Sequence, residues 1–233
     1  MLEPARIKAI TLDLDDTLWP VWPTIHRAEA ALQSWLQERA PATHHLLSDK
    51  DTRHALRVQV NREHAHLSHD LSHLRRESIR LALTRAGDDP ALAEPAFEHF
   101  FAERQRVELF DDALPALERL AQRFPIVSLS NGNADVHRVG IGAYFHASVS
   151  ARETGVSKPD PSIFHLAAER AGAAADQVLH IGDDVELDVL PALAVGMQAV
   201  WVNRGEQPWP RDDVRPHLTV SELGTLCEAL FGA

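Results

Sequence analysis

The sequence predicts an α/β protein: a parallel β-sheet covered by helices, with an all-helical segment inserted after the first strand. Two observations point there. From residue 110 onward, short apolar runs alternate with helical patterns, the signature of strands joined by crossover helices. Between residues 24 and 108, by contrast, apolar positions recur at helical spacing and no convincing strand occurs.

The elements follow in order. Residues 7–12 (Ile-Lys-Ala-Ile-Thr-Leu) are apolar, rich in β-branched side chains and end at a carboxylate cluster, which predicts a buried strand of the sheet. Pro20 and Pro23 then punctuate the chain. Ala28, Leu32, Trp35 and Leu36, and later Leu67, Leu71, Leu74, Ile79 and Leu83, recur at helical spacing, with a break at Asp88-Asp89-Pro90 and Pro95. Beyond Phe110 the pattern predicts a helix over 112–124, strands over 126–130 and 147–150, a helix over 161–171 and a strand over 177–181. A helix over 185–195 that contains Pro191, a strand over 198–202 and a helix over 221–230 complete it. Residues 1–20 and 109–233 are therefore expected to form the core, and 21–108 a separate helical domain.

A length of 233 residues suits one or two domains and a substantial core. With 23 basic against 34 acidic residues the formal charge is −11, which disfavours nucleic acid and anionic membranes as partners. Cys227 is the single cysteine, so an internal disulfide is excluded. The longest apolar stretch, broken by Gly196 and Gln198, is short of the roughly 20 residues a membrane helix needs. With no apolar leader at the N-terminus, a cytoplasmic location is expected.

Four polar clusters fall at or near the C-terminal ends of predicted strands, the edge at which open α/β sheets bind ligands. They are Asp13-Leu14-Asp15-Asp16-Thr17, Ser130-Asn131-Gly132-Asn133, Lys158-Pro159, and Gly182-Asp183-Asp184 with Asp188 further on. Asp13 and Asp15, two apart, are expected on one face of the strand, where their charges repel unless a cation intervenes. Asp183 adds a carboxylate, and hard oxygen donors of this kind suit Mg²⁺ together with phosphate oxygens. Ser130 offers a hydroxyl, Asn131 and Gly132 offer backbone N–H groups at a turn, and Lys158 offers positive charge, all fit for a phosphate. Taken singly, each carboxylate also reads as a turn or helix-cap residue.

Together these motifs resemble the haloacid dehalogenase (HAD) superfamily: Asp-Leu-Asp-Asp-Thr-Leu at 13–18, Ser130 after an apolar strand, Ser-Lys-Pro at 157–159, and Gly-Asp-Asp with Asp188. The resemblance implies a Rossmann-like core with an inserted helical C1 cap, and a Mg²⁺-dependent phosphomonoester hydrolase. Asp13 would be the nucleophile that becomes an aspartyl-phosphate, and Asp15 the general acid and base. Mg²⁺ would be held by the carboxylates of Asp13 and Asp183 and the backbone carbonyl of Asp15. Ser130 would bind phosphoryl oxygens and Lys158 would neutralise charge. Thr17 would steady the loop beside the substrate, and Asp184 and Asp188 would stand behind the ligands, orienting water or Lys158. Dehalogenases of the superfamily lack the acid/base Asp, so Asp15 and Asp183 disfavour halide chemistry. A receiver domain also uses Asp, Lys and Mg²⁺, but has no such insertion.

The cap is expected to choose the substrate. His64, His66, His69 and His73 cluster there; His69 and His73, four apart, are expected on one helix face, with substrate lining or solvation favoured over metal binding. Trp19 and Trp22 follow the first motif and suit either stacking on a flat substrate or packing. Ser-Asn-Gly-Asn at 130–133, Gly-Ala-Tyr-Phe at 142–145, His-Ile-Gly-Asp-Asp at 180–184 and His69-Asp70 are similar to the bacterial FMN phosphatase branch, which also handles a ribitylaminouracil phosphate. FMN or a related ribityl phosphate is thus the expected small-molecule substrate, met in the cap by Trp22 and His69. Alternatives are a phosphatase or phosphomutase for sugar phosphates or nucleotides, and a non-catalytic phospho-ligand sensor.

Overall fold

The computed structural model describes residues 1–232. It divides into two compact units, one built from Met1–Pro20 with the chain from Glu108 onward, the other from Val21–Val107. The first strand, β1 (Ala9–Leu12), begins two residues later than the apolar run suggested, because Ile7 and Lys8 follow a short 3₁₀ turn at Pro4–Arg6.

The second unit is helical throughout: α1 (Val21–Arg39), α2 (Pro41–Ser48), α3 (Lys50–Glu63), α4 (Leu71–Ala86) and α5 (Ala93–Arg104). Pro23 does not break the chain as expected but is the third residue of α1, in the first turn, where no intrahelical bond is needed from its missing N–H. Ala28, Leu32 and Leu36 line one face of α1 and pack with Leu56, Ile79, Leu83, Phe97 and Phe100 into a core of the unit's own. Arg75 and Arg76 lie over the rings of Phe100 and Phe97, at 4.3 and 3.8 Å, so their stems and charges cover that core. Asp70 caps α4 by accepting from the His73 N–H. Gly87, at φ 81°, ends α4 in the left-handed turn that glycine adopts without strain.

The chain then returns through α6 (Ala113–Ala121), β2 (Ile126–Ser130), α7 (Val136–Val139), β3 (Ala147–Ser150), α8 (Ala151–Thr154), α9 (Pro161–Arg170) and β4 (Val178–Gly182). After a π-turn at Val185–Val189 come α10 (Leu190–Ala194), β5 (Gln198–Val202), β6 (Leu218–Val220) and α11 (Leu223–Phe231). The expected helix over 185–195 is thus two segments, and the wider π-turn ends just before Pro191, whose ring an unbroken α-helix accommodates poorly. All pairings are parallel, in the order β3-β2-β1-β4-β5-β6. β1, β2, β4 and β5 are buried along their whole length, as strands covered on both faces must be. β6, a three-residue edge strand, was not foreseen; it follows the proline-rich segment in which Trp209 anchors the chain by packing on Trp201 at 5.2 Å. Because β1 pairs with β2 on one side and β4 on the other, successive connections run in opposite directions from it, and a crevice opens at the carboxyl ends of these strands.

Candidate active site

Three strand ends supply the site. Asp13 follows β1 directly, and its N–H donates to Ile181 O of β4 at 2.9 Å, so the sheet fixes where its carboxylate begins. Ser130 is the last residue of β2, and Asp183 follows β4. Lys158 comes from the loop before α9, held there by Asn131, whose side-chain oxygen accepts from Lys158 N–H at 2.8 Å while its amide donates to Lys158 O at 2.9 Å. Asn131 was expected to offer its backbone; its side chain clasps the lysine loop. Ser130 Oγ accepts from Gly132 N–H at 3.0 Å, which orients the hydroxyl.

Lys158 Nζ donates to Asp13 Oδ1 at 2.6 Å and to Asp188 Oδ1 at 2.5 Å, with all three side chains buried. Asp188 is engaged on both oxygens: Oδ1 also faces His180 Nε2 at 3.1 Å, and Oδ2 accepts from Asp184 N–H at 3.1 Å. His180 Nδ1 in turn meets the Thr11 hydroxyl at 2.9 Å. An ionised carboxylate only accepts, so His180 carries its proton on Nε2 and takes the Thr11 hydroxyl on Nδ1. Burial lowers the His180 pKa, which keeps the ring neutral in this arrangement.

Asp13, Asp183 and Asp188 bring carboxylate oxygens within 4.8 Å of one another. Three carboxylates face one lysine, and the strain shows in their proton affinities. Burial, with Asp188 and Asp183 adding to it, pushes Asp13 well above the usual carboxylate range against the pull of Lys158. Burial and the Asp188 charge raise Asp183 to about 7. Asp188 goes the other way: burial works to raise it, but Lys158 and His180 outweigh that and hold it at about 2. Burial would also strip charge from Lys158, yet Asp13 and Asp188 keep its pKa above the ordinary lysine value. A buried set of hard oxygen donors with uncompensated negative charge fits a divalent cation such as Mg²⁺.

The loop after β1 departs from the expected geometry. Asp13 and Asp15 do not share a strand face, because β1 ends at Leu12. Asp15 brings no carboxylate to the cluster; its Oδ1 accepts from the Trp19 indole N–H at 2.8 Å. Thr17 is fully buried and its hydroxyl donates to Asp183 Oδ1 at 3.0 Å, so it orients a carboxylate. Asp184 spends its carboxylate on capping the π-turn, accepting from Glu186 and Leu187 N–H. Sequence reasoning missed four contributors: His180, Trp19, Arg204 and Trp201. Arg204 forks onto Asp112 at 3.0 and 3.1 Å and donates to Thr17 O at 2.9 Å, while Trp201 donates to Asp183 O at 2.8 Å. A histidine inside the apolar run of β4 was the one available signal, since a buried imidazole needs partners.

The remaining expected residues lie in the helical unit. Trp22, on α1, is 65% exposed and, with His26, Glu29, Gln33, Arg53 and Arg57, lines a concavity of about 320 Å³. His69 precedes the Asp70 cap and so shares no helix face with His73, which meets His64 instead, ring nitrogens 3.0 Å apart.

Comparison with known proteins agrees with this constellation. The chain is 34% identical over 229 residues to 5-amino-6-(5-phospho-D-ribitylamino)uracil phosphatase YigB of Escherichia coli (strain K12), covering 95% of each. It is 36% identical over 164 residues to a phosphoserine phosphatase of Thermus thermophilus, covering 67% of this chain and 66% of the relative. Its fold superposes with a TM-score of 0.90 and 38% identity on the crystal structure titled 2-haloacid dehalogenase from Pseudomonas syringae pv. Tomato DC3000, over 96% of this chain and 98% of the other. Residues 7–196 match the family described as haloacid dehalogenase-like hydrolase, so the chain belongs to the haloacid dehalogenase-like hydrolases and stands among that family's phosphatases.

Proposed function

We propose that the protein is a Mg²⁺-dependent phosphomonoesterase that works through a phosphorylated Asp13 and prefers a ribityl phosphate such as FMN. The observation that carries this is the buried arrangement of Asp13, Asp183 and Asp188 around Lys158. Asp13 and Asp183 would hold Mg²⁺ with the Asp15 backbone carbonyl, and the ion when bound supplies positive charge opposite the phosphate. Asp188, with both oxygens engaged by protein donors, serves to hold Lys158 rather than to bind the ion.

In the first step a carboxylate oxygen of Asp13 attacks phosphorus as the ester P–O bond breaks, and Asp15 gives its proton to the leaving oxygen. In the second, water attacks the same phosphorus, Asp15 takes the water's proton, and the Asp13–phosphorus bond breaks to release phosphate. Lys158 neutralises charge between Asp13 and the phosphoryl group, and Ser130 donates its hydroxyl to a phosphoryl oxygen. Lys158 keeps its charge throughout, because Asp13 and Asp188 both favour its protonated form.

The helical unit would select the leaving group. The exposed Trp22 beside His26 and Arg57 suits a flat, polar ring, and the ribityl phosphate in the name of the Escherichia coli relative supports that class. The test is phosphate release from FMN, sugar phosphates, nucleotides and phosphoserine, with and without Mg²⁺, and with Asp13→Asn as control. Mg²⁺-dependent turnover highest on FMN and lost in the variant is the expected result. Higher turnover on another ester discards the flavin preference alone. The dehalogenase title of the superposed structure sets the rival: halide release from a 2-haloacid, without phosphate release from any ester, would replace the proposal.

A further inference from the structure

Trp19 touches the loop that carries Asp15 at two points. Its indole N–H donates to Asp15 Oδ1 at 2.8 Å, and its backbone oxygen accepts from Asp16 N–H at 2.7 Å. The ring is fully buried, so it has no freedom to follow a moving partner. Asp16 sits at φ 59°, a conformation a non-glycine residue holds only when its surroundings enforce it. Leu18 N–H closes the same coil onto Leu14 O at 2.8 Å. The loop from Asp13 to Trp19 is thus wound around one indole, and the indole ends on a carboxylate.

An oxygen that accepts an N–H hydrogen bond cannot direct a proton along that line. When Asp15 is a carboxylic acid, the indole on Oδ1 leaves Oδ2 as the oxygen that carries its transferable proton. We propose that Trp19 is a positioning residue for the proton that reaches the leaving group: it fixes the plane of the Asp15 carboxyl and selects Oδ2 as the atom that donates. The proposal rests on the reading of Asp15 as general acid. In the step it concerns, the Asp15 Oδ2–H bond breaks, its proton passes to the leaving oxygen, the ester P–O bond breaks and the Asp13–phosphorus bond forms.

The consequence is a dependence on leaving group. An alkoxide departs poorly without a proton, whereas p-nitrophenolate departs readily without one. Trp19→Phe keeps the buried ring and removes the N–H. We expect kcat/KM on an alkyl phosphate to fall about tenfold further than kcat/KM on p-nitrophenyl phosphate, a part of the 10²–10⁴-fold that general acid catalysis contributes. The parameter kcat/KM is chosen because it reports only the steps up to phosphorylation of Asp13. Replacement of Trp19 by 3-benzothienylalanine, which has the shape of tryptophan and no N–H, repeats the test if Phe packs poorly. Equal losses on both substrates would assign Trp19 a purely structural role and overturn the proposal, as would no loss on either. Asp15→Asn separates the two levels. Unchanged alkyl phosphate turnover in that variant would remove the acid role itself. A strong loss there with Trp19→Phe silent would remove only the role of Trp19.

Discussion

Asp188 accepts a hydrogen bond from Lys158 across 2.5 Å, with both side chains almost wholly enclosed. This pair ties the lysine loop to the π-turn after β4, so neither charge can be removed without stranding the other.

Lys158→Met should therefore cost about 3–5 kcal/mol, the usual penalty for leaving a buried charge uncompensated. Urea unfolding in chelator at neutral pH measures it. The depressed Asp188 pKa fixes the sign of the pH effect: its stabilisation is present above the ordinary value of 3.8 and is lost as pH falls through about 2. In the variant that depression is gone, so the carboxylates accept protons at higher pH and the penalty should shrink by pH 5.

Asp183 behaves oppositely. Its folded pKa is raised from 3.8 to about 7, so between those values the folded state binds a proton that the unfolded state has lost. Metal-free protein should lose stability as pH climbs through that window. A divalent cation removes the cost of ionisation, so the rise in Tm on adding Mg²⁺ should be larger at pH 8 than at pH 5. Calorimetry in chelator and in Mg²⁺ compares them; a Tm gain that does not grow with pH would contradict this picture of Asp183.

Gly182 ends β4 directly under Asp188, where an added Cβ would lie 2.4 Å from the Asp188 Cγ. Gly182→Ala must push that carboxylate away from Lys158. The expected result is a destabilisation of about 1–3 kcal/mol, as for overpacking, with loss of most activity. Urea midpoints and phosphate release report the two effects.

Cys227 is fully buried on α11, and burial raises its thiol pKa. The folded protein should resist a disulfide reagent such as 5,5′-dithiobis(2-nitrobenzoate) and react with one equivalent in urea. Rapid labelling without denaturant would show that α11 opens readily.

The strands β2, β3 and β5 lie where the apolar runs placed them, because buried parallel strands must be continuously apolar. β6 escaped notice because three residues with one buried side chain leave almost no pattern. Within the site, Asp13, Ser130, Lys158 and Asp183 were legible as polar residues at or near strand ends. Their bracing was not. The Thr11–His180–Asp188 chain and the Arg204 fork join residues 169, 8 and 92 positions apart, and no local spacing encodes such meetings. Asp15 shows the limit of periodicity: the two-residue repeat holds only while the strand lasts, and β1 stops at Leu12.

The central position of β1 has a consequence for biogenesis. A ribosome delivers β1 first, yet its sheet partners Ile126–Ser130 and Val178–Gly182 emerge only after the whole helical unit has been made. Val21–Val107 carries its own core and contacts only its own stretch of sequence to build it, so it is suited to form while still tethered to the ribosome. The nascent Asp13 must meanwhile wait, unpaired and solvated. Its burial beside Lys158 becomes possible only when Asp188 has left the exit tunnel, so no incomplete chain shorter than that can carry the assembled charge cluster.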